Sequence, residues 1–184
     1  EIHIVMGNES GDLDSVASAI AYAYYRSTFS QAAQYTESKP TIYLPLINLP
    51  KKNFRLKTEV VFWLERLGIT EADLIFLDTL DIEALVENGF GIRLILVDHH
   101  VPTPRQSHLR PFVAEVMDHH VKDEREAEFL ASIPAVEIAS DGTQSPVGSN
   151  ATLVAERILE SNLLDQAPEL ASLLLGPIVI DTIN

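Results

Sequence analysis

A chain of 184 residues, 46% apolar and 22% charged, is long enough for one domain with a buried core. Its formal charge of −14 argues against a nucleic-acid backbone binder, which is normally basic. It contains no cysteine, so disulfides and thiolate metal sites are excluded.

The predicted elements alternate between apolar runs and helical patterns. Residues 2–6 read as a strand, followed by a loop over Asn8 to Asp14 and a long Ala-rich helix from Ser15 to about Tyr35. Val16, Ile20, Ala23 and Tyr24 mark the apolar face of that helix. A second strand is expected at 41–47 and an amphipathic helix from Thr58 to Leu67, with Val60, Val61, Leu64 and Leu67 on one face. A short strand at 74–77 leads to a helix over 81–88 with Asp81 as its cap. Strands follow at 93–97 and 112–117, then a helix from Lys122 to Ser132 and a short strand at 135–139, at an edge or antiparallel. The stretch Ser140 to Ser149 reads as a loop. Helices are expected over Asn150 to Asn162 and Pro168 to Leu175, and 177–180 as a last strand or an extension of that helix. This alternation predicts an α/β fold: a Rossmann-like, doubly wound, mainly parallel sheet flanked by helices.

The chemistry-bearing residues collect at the ends of the apolar runs. Asp12 and Asp14 follow residues 2–6, Asp98, His99 and His100 follow 94–97, Asp118, His119 and His120 follow 112–117, and Asp181 follows 177–180. Ligands in open α/β sheets bind beyond the carboxyl ends of the strands. Five carboxylates and two His-His pairs on one rim are the donor set of a multi-metal hydrolase. Without thiolates the metal must be manganese, magnesium, cobalt or zinc. Helix capping is the competing reading for Asp12 and Asp14, and a turn or cap for Asp78. No nucleophile elbow, P-loop or dinucleotide fingerprint is present. Val147 to Thr152 puts small residues and a hydroxyl at a helix start, where free N–H groups favour a phosphate; a plain N-cap by Ser149 is the alternative.

These residues resemble the DHH phosphoesterases, and within them the exopolyphosphatase and prune branch. The segments that carry the resemblance are Gly7 to Ser15, Leu96 to His100, Val116 to His120, Val147 to Val154 and Ile180 to Thr182. The resemblance implies a catalytic domain over residues 1–184, with the family's second, C-terminal domain of the DHHA2 type absent from this chain. It implies two divalent ions, Mn²⁺ or Mg²⁺, with Co²⁺ also suited. Asp12 and Asp98 would hold the first ion, beside Asn8 where related pyrophosphatases carry His. Asp14, Asp98, His119 and Asp181 would hold the second, with Asp98 bridging. His120 would face the substrate phosphate, with Ser149 and Asn150 also on the substrate side. The expected activity is release of the terminal phosphate of inorganic polyphosphate or another small phosphorylated substrate by metal-activated water. The alternatives are hydrolysis of cyclic nucleotides or short oligonucleotides, and a metal-binding interaction module with weak catalysis. No apolar run approaches the roughly 20 residues of a membrane helix, and no secretory signal pattern opens the chain, so the expected location is cytoplasmic.

Overall fold

A computed structural model describes residues 1–33, 40–140 and 143–182. Six parallel strands form one sheet: β1 (Ile2–Met6), β2 (Ile42–Ile47), β3 (Ile75–Phe76), β4 (Ile92–Val97), β5 (Val113–Asp118) and β6 (Ala135–Ile138). Their spatial order is β3-β2-β1-β4-β5-β6. The chain leaves β1 in one direction through β2 and β3, then returns to β4 on its other side. The topological switch point therefore lies between β1 and β4, where open α/β sheets bind ligands.

The sheet is buried on both faces, as parallel sheets are. Along β4, Leu94 and Leu96 face one apolar layer and Ile95 and Val97 the other. The helices α1 (Leu13–Ala33), α2 (Thr58–Arg66), α5 (Asn150–Glu160) and α6 (Glu169–Asp181) cover the Ile95 face. The opposite face is covered by α3 (Ile82–Glu87), α4 (Ala127–Ala131) and the 3₁₀ segment Pro104–Phe112.

The expected elements are present, and of the two expected forms of 177–180 the helical extension is the one found: it continues α6, so Asp181 stands at a helix end. The remaining expectations need adjustment at three places. The helix expected over 122–132 is shorter, a 3₁₀ turn at Glu124–Glu126 leading into α4. The strand expected at 135–139 is at the edge but parallel. Tyr24, placed on the apolar face of α1, is exposed. The far end of that helix, from residue 34 to Tyr35, lies outside the described residues.

The continuation of α6 through Pro177 has a specific cause. Proline removes the backbone donor that would bond the Leu173 carbonyl, four residues earlier. The Trp63 indole N–H, on α2, donates to that carbonyl at 3.1 Å and replaces the lost bond. Gly176 makes room: a Cβ there would lie 2.5 Å from the Trp63 ring. Among the described residues no helix is long and apolar enough to cross a membrane.

Gly176→Ala should therefore force the α2–α6 contact apart and cost about 1–3 kcal/mol, the usual range for overpacking. Urea unfolding measures this; a variant as stable as the parent would contradict the close packing.

Candidate metal centre

Asp98 ends β4 at the switch point. Its backbone is left-handed, with φ 62°, a conformation Asp tolerates better than most residues. Its N–H donates to the Met117 carbonyl at 3.0 Å, which ties the turn to the end of β5. The residue is 2% exposed. Its Oδ2 accepts from Ser15 Oγ at 2.6 Å and from Asn8 Nδ2 at 2.8 Å. Its Oδ1 lies 3.2 Å from His119 Nε2. Three elements thus converge on one carboxylate: the loop after β1, the first turn of α1 and the end of β5.

His119 is oriented as a ligand. Its Nδ1 is 3.0 Å from the Val147 carbonyl, which can only accept, so Nδ1 carries the proton. Nε2 is left facing Asp98 and, at 3.8 Å, Asp14. Metal-binding histidines are typically fixed in this way. His120 is arranged alike, with Nδ1 2.7 Å from Asp118 Oδ1. One ligand atom from each of Asp98, His119 and His120 lies within 4.8 Å of the others.

Asp12 and Asp14 do different work in the same loop. Asp12 accepts from Ser15 N at 3.0 Å and from Ser10 Oγ, so it caps the start of α1. Asp14 is buried and reaches the start of α5, accepting from Asn150 N at 2.7 Å and Ala151 N at 2.8 Å. The helix terminus proposed for a phosphate already has these two amides on a carboxylate of the chain itself. Ser149 and Asn150 are fully buried there, and neither Asn150 side-chain polar atom has a partner. Asp181 stands at the last residue of α6, close to Gly148; a Cβ on Gly148 would lie 3.4 Å from the Asp181 carbonyl. Segment 147–151 therefore touches three candidate ligands: Val147 orients His119, Gly148 admits the end of α6, and the Asn150 and Ala151 amides hold Asp14. Asn8 offers its amide N–H to Asp98, and its Oδ1 accepts from Ser10 N at 2.8 Å. Asp78 lies away from these groups and accepts from Lys51 N at 2.8 Å, as a cap does.

The electrostatics follow from crowding acids in a desolvated place. Burial, then the neighbouring Asp14, pushes the Asp98 carboxyl up to about 6. Burial raises Asp14 against the pull of the α5 amides. Asp181 is raised by partial burial and by Asp14 and Asp12. Burial would lower His119, but its bond to Asp98, the Val147 carbonyl and the nearby acids lift it to about 9. Hard oxygen donors that repel one another, with imidazole nitrogens already aimed inward, fit divalent cations. Asp98, His119 and His120 come together with Asp14 beside His119, and Asp181 is near enough to feel the charges of Asp14, Asp12 and His119.

Two hollows adjoin the centre. One of about 390 Å³ is lined by Asn8, Asp98, His100, Asp118, His120 and Val121. A larger one, about 1090 Å³, opens on the β2–β3 side and meets the rim at Glu9 and Ser10. The sequence reading missed the contact of Ser15 with Asp98. Ser15 stood inside a quoted motif, but only the fold shows that its hydroxyl meets a residue 83 positions away.

Comparison with known proteins agrees with this geometry. Residues 3–178 match the DHH family, N-terminal domain. The chain is 38% identical to exopolyphosphatase PRUNE1 of Bos taurus and 36% identical to that of Homo sapiens, each over 100% of this chain and 36% of the relative. It is 26% identical to the manganese-dependent inorganic pyrophosphatase of Methanocaldococcus jannaschii, over 97% of this chain and 48% of that protein. The chain thus spans about a third of the length of those PRUNE1 relatives.

Ser15→Ala removes a donor to Asp98 and leaves the partly buried Asn8 N–H without its 3.0 Å acceptor. The expected loss is about 1–3 kcal/mol in metal-free protein, read by urea unfolding. An unchanged unfolding midpoint would show that Ser15 does not brace the rim.

Proposed function

Because this chain belongs to the DHH family, we propose that its rim binds two divalent ions, manganese or magnesium, and hydrolyses a phosphoanhydride, with inorganic polyphosphate as the substrate. The observation that carries the reading is the cluster of Asp98, His119 and His120 at the switch point. The names of the relatives support the substrate class: two are exopolyphosphatases and one a manganese-dependent pyrophosphatase. Those proteins are longer, so their activity is proposed for this chain rather than carried over.

In this reading Asp14, Asp98, His119 and Asp181 hold one ion, and Asp12 with Asp98 the other. Bound divalent ions supply Lewis acidity, lowering the pKa of water and neutralising phosphoryl charge. Asp98 brings a carboxylate that burial keeps from being screened by solvent. His119 turns Nε2 inward because its Nδ1–H is held by Val147, so on metal binding Nε2 would give up its proton and offer its lone pair. The bond from Nδ1–H to Asp118 raises the His120 pKa and so favours a second proton on Nε2, which His120 would donate to a phosphoryl oxygen as charge builds in the transition state. Water attacks the terminal phosphorus in line, the P–O bond to the rest of the chain breaks, and orthophosphate leaves with a shortened polyphosphate. The polyphosphate oxyanion is a good leaving group, so no general acid of the chain is required. Asn8, with its amide N–H on Asp98 Oδ2, steadies the shared carboxylate.

The test compares hydrolysis of short and long polyphosphate, pyrophosphate and cyclic AMP in Mn²⁺ and Mg²⁺. Asp98→Asn is the control, because Asn tolerates the left-handed backbone while losing the charge. Polyphosphate hydrolysis should fall below about a hundredth of the parent rate in this variant, on the scale of lost transition-state charge stabilisation. Hydrolysis confined to cyclic AMP, or full activity in Asp98→Asn, would overturn the reading.

A further inference from the structure

His100 is the second histidine of the Asp98 segment and is assigned no part in the centre above. It is 8% exposed and lies behind the candidate ligands, on the wall of the smaller hollow. Its two ring nitrogens have different partners. Nε2 faces the backbone N–H of Asp123 at 3.1 Å and must accept. The proton of the neutral ring therefore sits on Nδ1, and Nδ1 meets Asp118 Oδ2.

Asp118 is fully buried, and its two oxygens are divided. Oδ1 takes the backbone N–H of His119 at 2.8 Å, that of His120 at 3.2 Å, and His120 Nδ1 at 2.7 Å. Oδ2 takes His100. Burial would raise this carboxyl, but the bonds from His100 and His120 hold it well below the usual carboxylate range. The His120 side chain is about half exposed, at 52%, and its short polar contact is with Asp118. The His120 ring rests against the His119 ring, with centroids 4.4 Å apart, and its Nδ1 stands 3.8 Å from Asp98 Oδ1, so the shorter bond to Asp118 sets how the ring is turned provided that Asp118 is itself fixed. The backbone amides already set Oδ1, and His100 sets the remaining rotation of the carboxylate by holding Oδ2.

We propose that His100 is a positioning residue: through Asp118 it sets the orientation of His120, so that His120 Nε2 faces the substrate phosphate. The relay runs from the Asp123 amide to His100, from His100 to Asp118, and from Asp118 to His120. It rests on the substrate-facing role of His120 proposed above, but its geometry is present without metal or substrate. Second-shell partners of this kind typically matter 10–100-fold when removed.

Two substitutions separate the two contacts of His100. Asn places its amide N–H near the Nδ1 position and keeps the donor to Asp118. Gln reaches the Nε2 position and keeps the Asp123 contact while losing Asp118. In metal-free protein, the low-field Nδ1–H proton of His120 in the NMR spectrum should persist in His100→Asn and disappear in His100→Gln. With Mn²⁺ and polyphosphate, His100→Gln should lower kcat about 10–100-fold with Mn²⁺ affinity within about twofold of the parent, and His100→Asn should recover most of that loss. In a His120→Ala background, His100→Gln should change kcat less than about twofold. A His120 proton signal that survives in His100→Gln, equal losses in the Asn and Gln variants, or the same kcat loss in both backgrounds would overturn the relay. Failure of the parent to hydrolyse polyphosphate would instead count against the proposed function, since the NMR comparison needs no turnover.

Discussion

The buried carboxylate of Asp98 is the constraint around which the rim is built. A left-handed backbone at a non-glycine residue costs on the order of 1–3 kcal/mol, and a desolvated carboxylate costs more unless it is bonded. The structure offsets both. The Asp98 N–H is fixed on β5, Ser15 and Asn8 donate to one oxygen, and His119 faces the other. These partners come from three elements at the switch point, with Met117 and His119 both at the end of β5. The loop after β1, the start of α1 and the end of β5 are thus located by what Asp98 needs, and the other candidate ligands follow from where those elements lie.

Around this residue the rim divides its labour. One group comprises the proposed ligands and the substrate-facing residue: Asp12, Asp14, Asp98, His119, His120 and Asp181. Another holds them. Segment 147–151 carries no candidate ligand on the geometry seen here, yet its carbonyl, its glycine and its amides position His119, the end of α6 and Asp14. The positive end of α5 falls on Asp14, where it counters the crowding of negative charge. Trp63, by capping the carbonyl freed by Pro177, lets α6 run on to Asp181. Such supports make a cluster of mutually repelling acids compatible with a folded chain.

Much of this was legible in the sequence, for a physical reason. Buried parallel strands read as near-continuous apolar runs, so β1, β4 and β5 announce themselves and the residues just beyond them are placed on one rim. What stayed hidden depends on partners far away in the chain. The apolar run 177–180 has a strand's composition, and only the distant Trp63 makes its proline tolerable in a helix. The small residues at 147–151 look like a phosphate cradle because a free helix terminus attracts anions; the sequence does not say that Asp14 is the anion. Asp118 reads as one of five rim carboxylates without a part of its own, and the fold shows its two oxygens taken by His100, His120 and nearby amides.

The central claim is that this rim is a divalent-metal centre organised by Asp98. Anomalous diffraction from crystals grown in Mn²⁺, collected on both sides of the manganese absorption edge, tests it most directly. The account predicts two manganese peaks at the switch point, with Asp98 contacting both and His119 Nε2 contacting one. Manganese found elsewhere on this acidic chain, with the rim empty, would contradict it.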